Sequence, residues 1–134
     1  LAHFKDRVQA GAPDSEEIDA DGHKARIGDL RKQLIQVVPG HKLAYVTDTI
    51  YNDETVARAV ALARGADHFI CEAVFLEEDA KRAEQNFHMT ARQCGLMARA
   101  AGVRRVEIVH HSRRYRGKDA QFLAEVRSEF PHVC

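Results

Sequence analysis

The sequence predicts an α/β fold with a largely parallel sheet, and three observations predict it. Short apolar runs of β propensity recur as "KLAYVT" (42–47), "DHFICEA" (67–73) and "RRVEIVH" (104–110). Between and after them run helical patterns with their own start and stop residues. No internal repeat or low-complexity linker interrupts the alternation. Strands separated by helices of roughly 10–14 residues imply right-handed βαβ crossovers and hence parallel pairing.

Residues 1–29 are rich in Asp, Glu, Gly and Ala with weak periodicity, and "AGAPDSEEIDADG" reads as loop or short turns. "LRKQLIQVV" (30–38) suits a helix or a strand, and Pro39-Gly40 ends it either way. The expected organisation is one domain over 1–134, with a loop-rich segment at 1–40 and the α/β body at 41–134. After the strand at 42–47, "NDETVARAVALARG" (52–65) reads as a helix that starts at Asn52 or Asp53 and stops at Gly65. Thr90 and Gln93 spell a capping box for a helix to Ala101, terminated by Gly102. In that helix Ala91, Cys94, Gly95, Ala98 and Ala101 form a small-residue stripe suited to close packing on a sheet. A last helix, "KDAQFLAEVRSEF" (118–130), is stopped by Pro131.

The 134 residues are enough to bury a real core. Twenty basic and twenty acidic residues cancel, so no global field steers the chain to nucleic acid or membrane. Any polyanion contact must be local, and Arg113, Arg114, Arg116 and Lys118 beside Arg104 and Arg105 are the candidate patch. Cys71, Cys94 and Cys134 are odd in number and contain no CxxC pair, which fits reduced thiols and a cytoplasmic location. No apolar run reaches the ~18 residues of a membrane span, and no signal peptide is legible. The first residue is Leu1 rather than Met, which suggests a fragment or a processed chain.

In parallel sheets ligands bind beyond the carboxyl ends of the strands. Here "AYVTD" ends in Asp48, "HFICE" in Glu72 and "VEIVH" in His110. Parallel strands should bring these side chains to one edge, within roughly 12 Å of one another. His88 precedes the capped helix start and could overhang the same edge, near N–H groups suited to an anion. Each residue also has an ordinary reading: a turn or cap for Asp48, a salt-bridge partner for Glu72, and structural hydrogen bonding for His88 and His110.

The stretches "KLAYVTDT", "GADHFICEAVF", "FHMTARQCGLMARAAGVRRVEIVHHSRRY" and "FLAEVRSEFP", from Lys42 to Phe130, resemble the C-terminal half of ribonuclease Z, the tRNA 3′-endonuclease family of metallo-β-lactamase fold. The resemblance implies a βαβαβα half of an αββα sandwich. It implies a metal-dependent phosphodiester hydrolase working with two zinc ions, manganese being possible, on a tRNA precursor or other phosphodiester. Carried over singly, Asp48 matches the metal-bridging aspartate and His110 the histidine that ligates the second metal. His88 matches the histidine that acts on the leaving group, and Glu72 the glutamate that orients it. Arg114 and Thr90 are the expected phosphate contacts. The sequence departs from the family pattern at Thr47, Cys71, Val74, Met89 and His111, and the family's His-x-His-x-Asp-His is absent. Asp48 and His110 supply two ligands, where a catalytic zinc usually has three.

Two functions follow as expectations: the C-terminal half of such a hydrolase, or a non-catalytic α/β module that oligomerises or binds a partner. Strands built for burial on both faces would leave one face without its cover, which predicts a homodimer or higher oligomer.

Overall fold

A computed structural model describes residues 2–20, 22–34 and 38–134. By their internal packing the residues fall into two compact units, Leu1–Gly40 and His41–Cys134.

The first unit carries more regular structure than the loop or short turns expected over 1–29. Helix α1 spans Ala2–Gln9, strands β1 (Glu17–Ala20) and β2 (His23–Arg26) form an antiparallel pair, and α2 spans Ile27–Leu34. Each strand has four residues; "EIDA" alternates polar with apolar over the shortest run that signals a strand, and "HKAR" does not alternate, so the pair is barely legible by periodicity. Phe4, Ala12, Ile18 and Ile27 form its small core. Arg7 reinforces it by donating from Nε and Nη2 to the two Glu16 carboxylate oxygens, both at 2.7 Å. Of the ambiguous "LRKQLIQVV", residues 30–34 belong to helix α2, and residues 35–37 lie outside the described residues.

In the second unit β3 (Leu43–Val46), β4 (His68–Glu72) and β5 (Val106–Val109) pair in parallel, in the order β3-β4-β5. Helix α3 (Asp53–Ala63) connects β3 to β4, α5 (Ala91–Ala101) precedes β5, and α6 (Asp119–Glu129) follows it. The pairing and the alternation are those the sequence predicts. Between β4 and α5 lie a 3₁₀ turn at Glu77–Asp79 and α4 (Ala80–Gln85), which are too short to leave a periodic signature. A second 3₁₀ turn covers Arg113–Tyr115.

The helix ends follow the local chemistry. Asn52 caps α3, its side chain accepting from Thr55 N–H, and Thr90 caps α5 with Gln93 completing the box. Gly102 ends α5 in the left-handed region at φ 60°, where a side chain would be strained. The small-residue stripe of α5 is buried throughout. Gly95 is where α6 comes closest: a methyl group there would meet the Val126 carbonyl oxygen at 2.8 Å. Helix α5 packs on α6, on α3, and on β4 and β5. Phe69, Cys71, Val106, Met97 and Phe122 fill the core of this unit. Among the described residues no helix is long and apolar enough to cross a membrane.

Candidate metal centre

The strand ends converge as parallel pairing requires. Asp48 follows β3, Glu72 ends β4 and His110 follows β5. His110 Nδ1 lies 3.6 Å from Asp48 Oδ1 and 3.5 Å from Glu72 Oε2. His88 Nδ1 lies 3.2 Å from Glu72 Oε1. One potential ligand atom from each of Asp48, Glu72, His88 and His110 falls within 4.8 Å of the others.

The four residues are not equivalent. Glu72 is fully buried, one of only two polar residues so placed among the described residues. Its carboxylate accepts the Asp48 backbone N–H at 2.6 Å and the Met89 backbone N–H at 3.1 Å, in addition to facing His88. A buried carboxylate needs such partners. With its lone pairs so engaged, Glu72 is a fixed acceptor that ties together the end of β3, the end of β4 and the turn before α5. Asp48 is well exposed and His110 half exposed, so both keep oxygen and nitrogen atoms free toward solvent.

Backbone strain marks the same place. Asp48 (φ 51°), Phe87 (φ 60°) and His110 (φ 66°) are the non-glycine residues in the left-handed region among those described. Aspartate and histidine are enriched among the few non-glycine residues that adopt this conformation, whereas for a bulky residue such as Phe it is an outlier. Two of the three belong to the cluster and the third precedes His88.

The donor set suits one side of a divalent-cation centre. Asp48 offers carboxylate oxygen and His110 imidazole nitrogen, the ligand types that zinc and manganese accept. Holding Glu72 at Nδ1 leaves Nε2 as the ring nitrogen not engaged by that carboxylate. His88 also lines a cleft of about 280 Å³ together with Tyr51, Lys81, Glu84 and Gln93.

The expected phosphate contacts are placed differently. Thr90 is fully buried; its hydroxyl donates to Glu77 Oε2 at 2.6 Å and accepts the Gln93 N–H at 3.2 Å. Both bonds serve the start of α5 and its surroundings, which leaves no free hydroxyl for a phosphate. The capping box itself is the signal that explains this. Arg114 Nη1 lies 3.3 Å from Asp79 Oδ2, and the Tyr115 hydroxyl donates to the same carboxylate oxygen. The Tyr115 hydrogen bond, with the Arg114 charge beside it, holds the Asp79 carboxyl below its ordinary range. His111 stacks on Phe122 at 4.3 Å, and burial pushes its imidazole below the usual value.

Sequence reasoning missed the backbone donors of Asp48 and Met89, since main-chain groups leave no trace in residue identity. It also missed Lys81 and Tyr51 beside His88.

No family model matches the chain. It is 40% identical over 114 residues to ribonuclease Z of Thermobifida fusca, covering 84% of this chain and 33% of that protein. It is 33% identical over 125 residues to ribonuclease Z of Deinococcus radiodurans, covering 92% of this chain and 37% of that one. The solved metallo-β-lactamase fold protein YhfI of Bacillus subtilis aligns with a TM-score of 0.59 at 22% identity, over 69% of this chain and 35% of that one. The chain thus spans about a third of the length of these curated relatives.

Proposed function

This chain is ribonuclease Z-like and of metallo-β-lactamase fold, its partial match fitting a C-terminal half, and from that premise we propose that it contributes half of the active site of a metal-dependent phosphodiester hydrolase of ribonuclease Z type, acting on tRNA precursors. The observation that carries the reading is the gathering of Asp48, Glu72, His88 and His110 around one buried carboxylate.

Asp48 and His110 would hold divalent cations, zinc or manganese, which when bound supply a water nucleophile at neutral pH and neutralise charge developing on the phosphate. Further ligands would be supplied by the part of such an enzyme that this chain does not span. Glu72 holds the His88 ring by its Nδ1 edge and so leaves Nε2 unengaged by that carboxylate. His88, protonated at Nε2, delivers that proton to the departing oxygen as general acid. Glu72 is a positioning residue, acting through His88, the Asp48 main chain and its 3.5 Å approach to His110. Arg114, near the same edge and tethered to Asp79, can pair with a phosphate oxygen by releasing one exposed contact.

The test uses the intact enzyme in which this half is completed. His88→Ala should slow cleavage of a tRNA precursor about 10²–10⁴-fold, the usual share of general acid catalysis, with metal content unchanged. Undiminished cleavage would remove His88 from the mechanism. In this chain alone Asp48 and His110 should bind cations weakly; tight binding abolished by Asp48→Ala would overturn the two-ligand reading.

A second reading, a module that associates with its own copies, draws on β3. Leu43 and Tyr45 alternate onto one face of that strand and are 60% and 56% exposed. Light scattering decides between a homo-oligomer and a monomer.

A further inference from the structure

A second donor cluster lies near the opposite end of the sheet, built by residues that the reading above does not use. His68 opens β4, Glu107 is the second residue of β5, and Cys134 lies beyond α6. Their placement follows from register. Ile70 pairs with Glu107, so His68, two residues earlier on β4, shares a face with both. The tail then adds alongside β5: Val133 bridges Val106, Val106 N–H donates to His132 O at 2.9 Å, and Cys134 N–H donates to Val106 O at 2.9 Å. That pattern brings Cys134 level with Glu107. One nitrogen, one carboxylate oxygen and one sulfur from these residues lie within 4.8 Å of one another.

An orphaned atom belongs to this cluster. Among the described residues His68 Nε2 is buried without a hydrogen-bond partner, as are Arg31 Nε and His111 Nε2 elsewhere. Glu107 Oε2 stands only 2.9 Å away, so its carboxylate is close enough for a bond but out of line for one. Two donors that share a tetrahedral zinc sit about 3.3–3.6 Å apart, off each other's lone-pair axes, given bonds of about 2.0–2.3 Å. The nitrogen and oxygen, misaligned at 2.9 Å, are slightly contracted from that spacing, and the thiol lies within 4.8 Å of both.

We propose that His68, Glu107 and Cys134 form a second metal site, independent of the strand-end cluster, that takes a borderline divalent cation of the zinc class. Imidazole, carboxylate and thiolate are ligands of that class, and the sulfur discriminates against magnesium and calcium. The charges close: a carboxylate and a thiolate neutralise one dication. Cys134 is exposed, and a metal bond at its sulfur would replace the 3.4 Å contact of Sγ with the Val106 carbonyl oxygen. The His68 ring would bind through Nε2 and carry its proton on Nδ1. That exchange gives up only the 3.4 Å contact with Arg105 Nη2, at the weak limit of hydrogen bonding. A cavity of about 560 Å³, lined by Lys42, Leu43, Asp67, Arg104 and Arg105 among others, adjoins the cluster at His68.

Cobalt(II) is the probe, because only a sulfur ligand produces a near-ultraviolet sulfur-to-cobalt charge-transfer band. The strand-end cluster contains no sulfur ligand. Titration of the reduced chain should give a band that saturates at one cobalt per chain and is displaced by zinc. Cys134→Ser should abolish it, His68→Ala should weaken cobalt binding more than ~10–100-fold, beyond what loss of an outer-shell partner costs, and Asp48→Ala should leave it intact. As a check that needs no variant, zinc should slow alkylation of Cys134 at least tenfold, read by peptide mapping. Absence of the band, its survival in Cys134→Ser, or alkylation indifferent to zinc would each overturn the site.

Discussion

Replacing Glu72 tests whether one buried carboxylate organises the strand-end cluster. Glu72→Ala removes the acceptor for the Asp48 and Met89 backbone N–H groups, at 2.6 and 3.1 Å, and for the His88 ring at 3.2 Å. Leaving a buried donor unpaired costs about 1–3 kcal/mol. The buried Met89 N–H accounts for that range, and the part-buried Asp48 N–H, which water can reach, adds less. The His88 ring can turn to solvent and adds little. We expect a loss of about 2–4 kcal/mol, which is large for a single substitution. Glu72→Gln keeps one acceptor oxygen and sets its amide N–H₂ against one donor, so it should lose about 1–3 kcal/mol. Urea unfolding followed by circular dichroism at neutral pH gives both values, provided the slopes match. The refuting results are Glu72→Ala within ~1 kcal/mol of the parent chain, or Gln costing more than Ala.

Three further predictions rest on other contacts. Gly95→Ala should destabilise by about 1 kcal/mol: the helix-propensity gain of ~1 kcal/mol is outweighed by overpacking of about 1–3 kcal/mol, because the new methyl meets the Val126 carbonyl oxygen at 2.8 Å and Glu129 Cβ at 3.0 Å; a more stable variant in thermal melts would contradict the close approach. His110→Gly should be more stable than His110→Ala by about 1 kcal/mol, the reverse of the usual order, since both lose the imidazole but only glycine is at ease at φ 66°; equal midpoints in urea would deny the strain. The hydrogen bond from Arg92, with Arg99 nearby, holds the Glu129 carboxyl below its ordinary range, so the stability it contributes is present above the unfolded glutamate pKa of about 4.3 and fades as pH falls through the lower folded value; Glu129→Gln should flatten that part of the acid limb, and an unchanged limb would show the clamp to be idle.

How much of this was legible in the sequence depended on the length of each signal. Helices α3, α5 and α6 have 11 residues each and carry caps or stops, so pattern and ends agreed. The three parallel strands were legible as apolar runs between those helices. The elements of residues 2–34 were not, because strands of four residues such as "HKAR" have no apolar alternation and depend on a small core at Phe4, Ile18 and Ile27. The strand-end site was legible in residue identity at Asp48, Glu72, His88 and His110. Its internal order was not, because Glu72 is held by main-chain donors that any residue could supply. Thr90 shows the converse: the capping box that located the helix also consumed the hydroxyl expected at a phosphate.

The spacing of the sheet and the reach of the side chains together bring the cluster together. Strands β3 and β5 are separated by β4, which puts their backbones roughly 9–10 Å apart at about 4.8 Å per strand. Asp48 Oδ1 and His110 Nδ1 are 3.6 Å apart. The two side chains close that gap by reaching toward each other over the end of the central strand, and each stands on a left-handed residue, Asp48 itself and His110 itself. Such turns cost free energy and persist only where the surroundings over-determine them. Here the determinant is Glu72 at the end of β4, whose carboxylate takes the Asp48 N–H on one side and lies 3.5 Å from His110 on the other. The parallel sheet thus supplies direction, carrying three strand ends to one edge. The buried carboxylate supplies position, drawing the outer two over the middle one with His88 fixed alongside. Fold stability and site geometry therefore share one residue, so a substitution at Glu72 loosens the Asp48 and Met89 main chain and the His88 ring together.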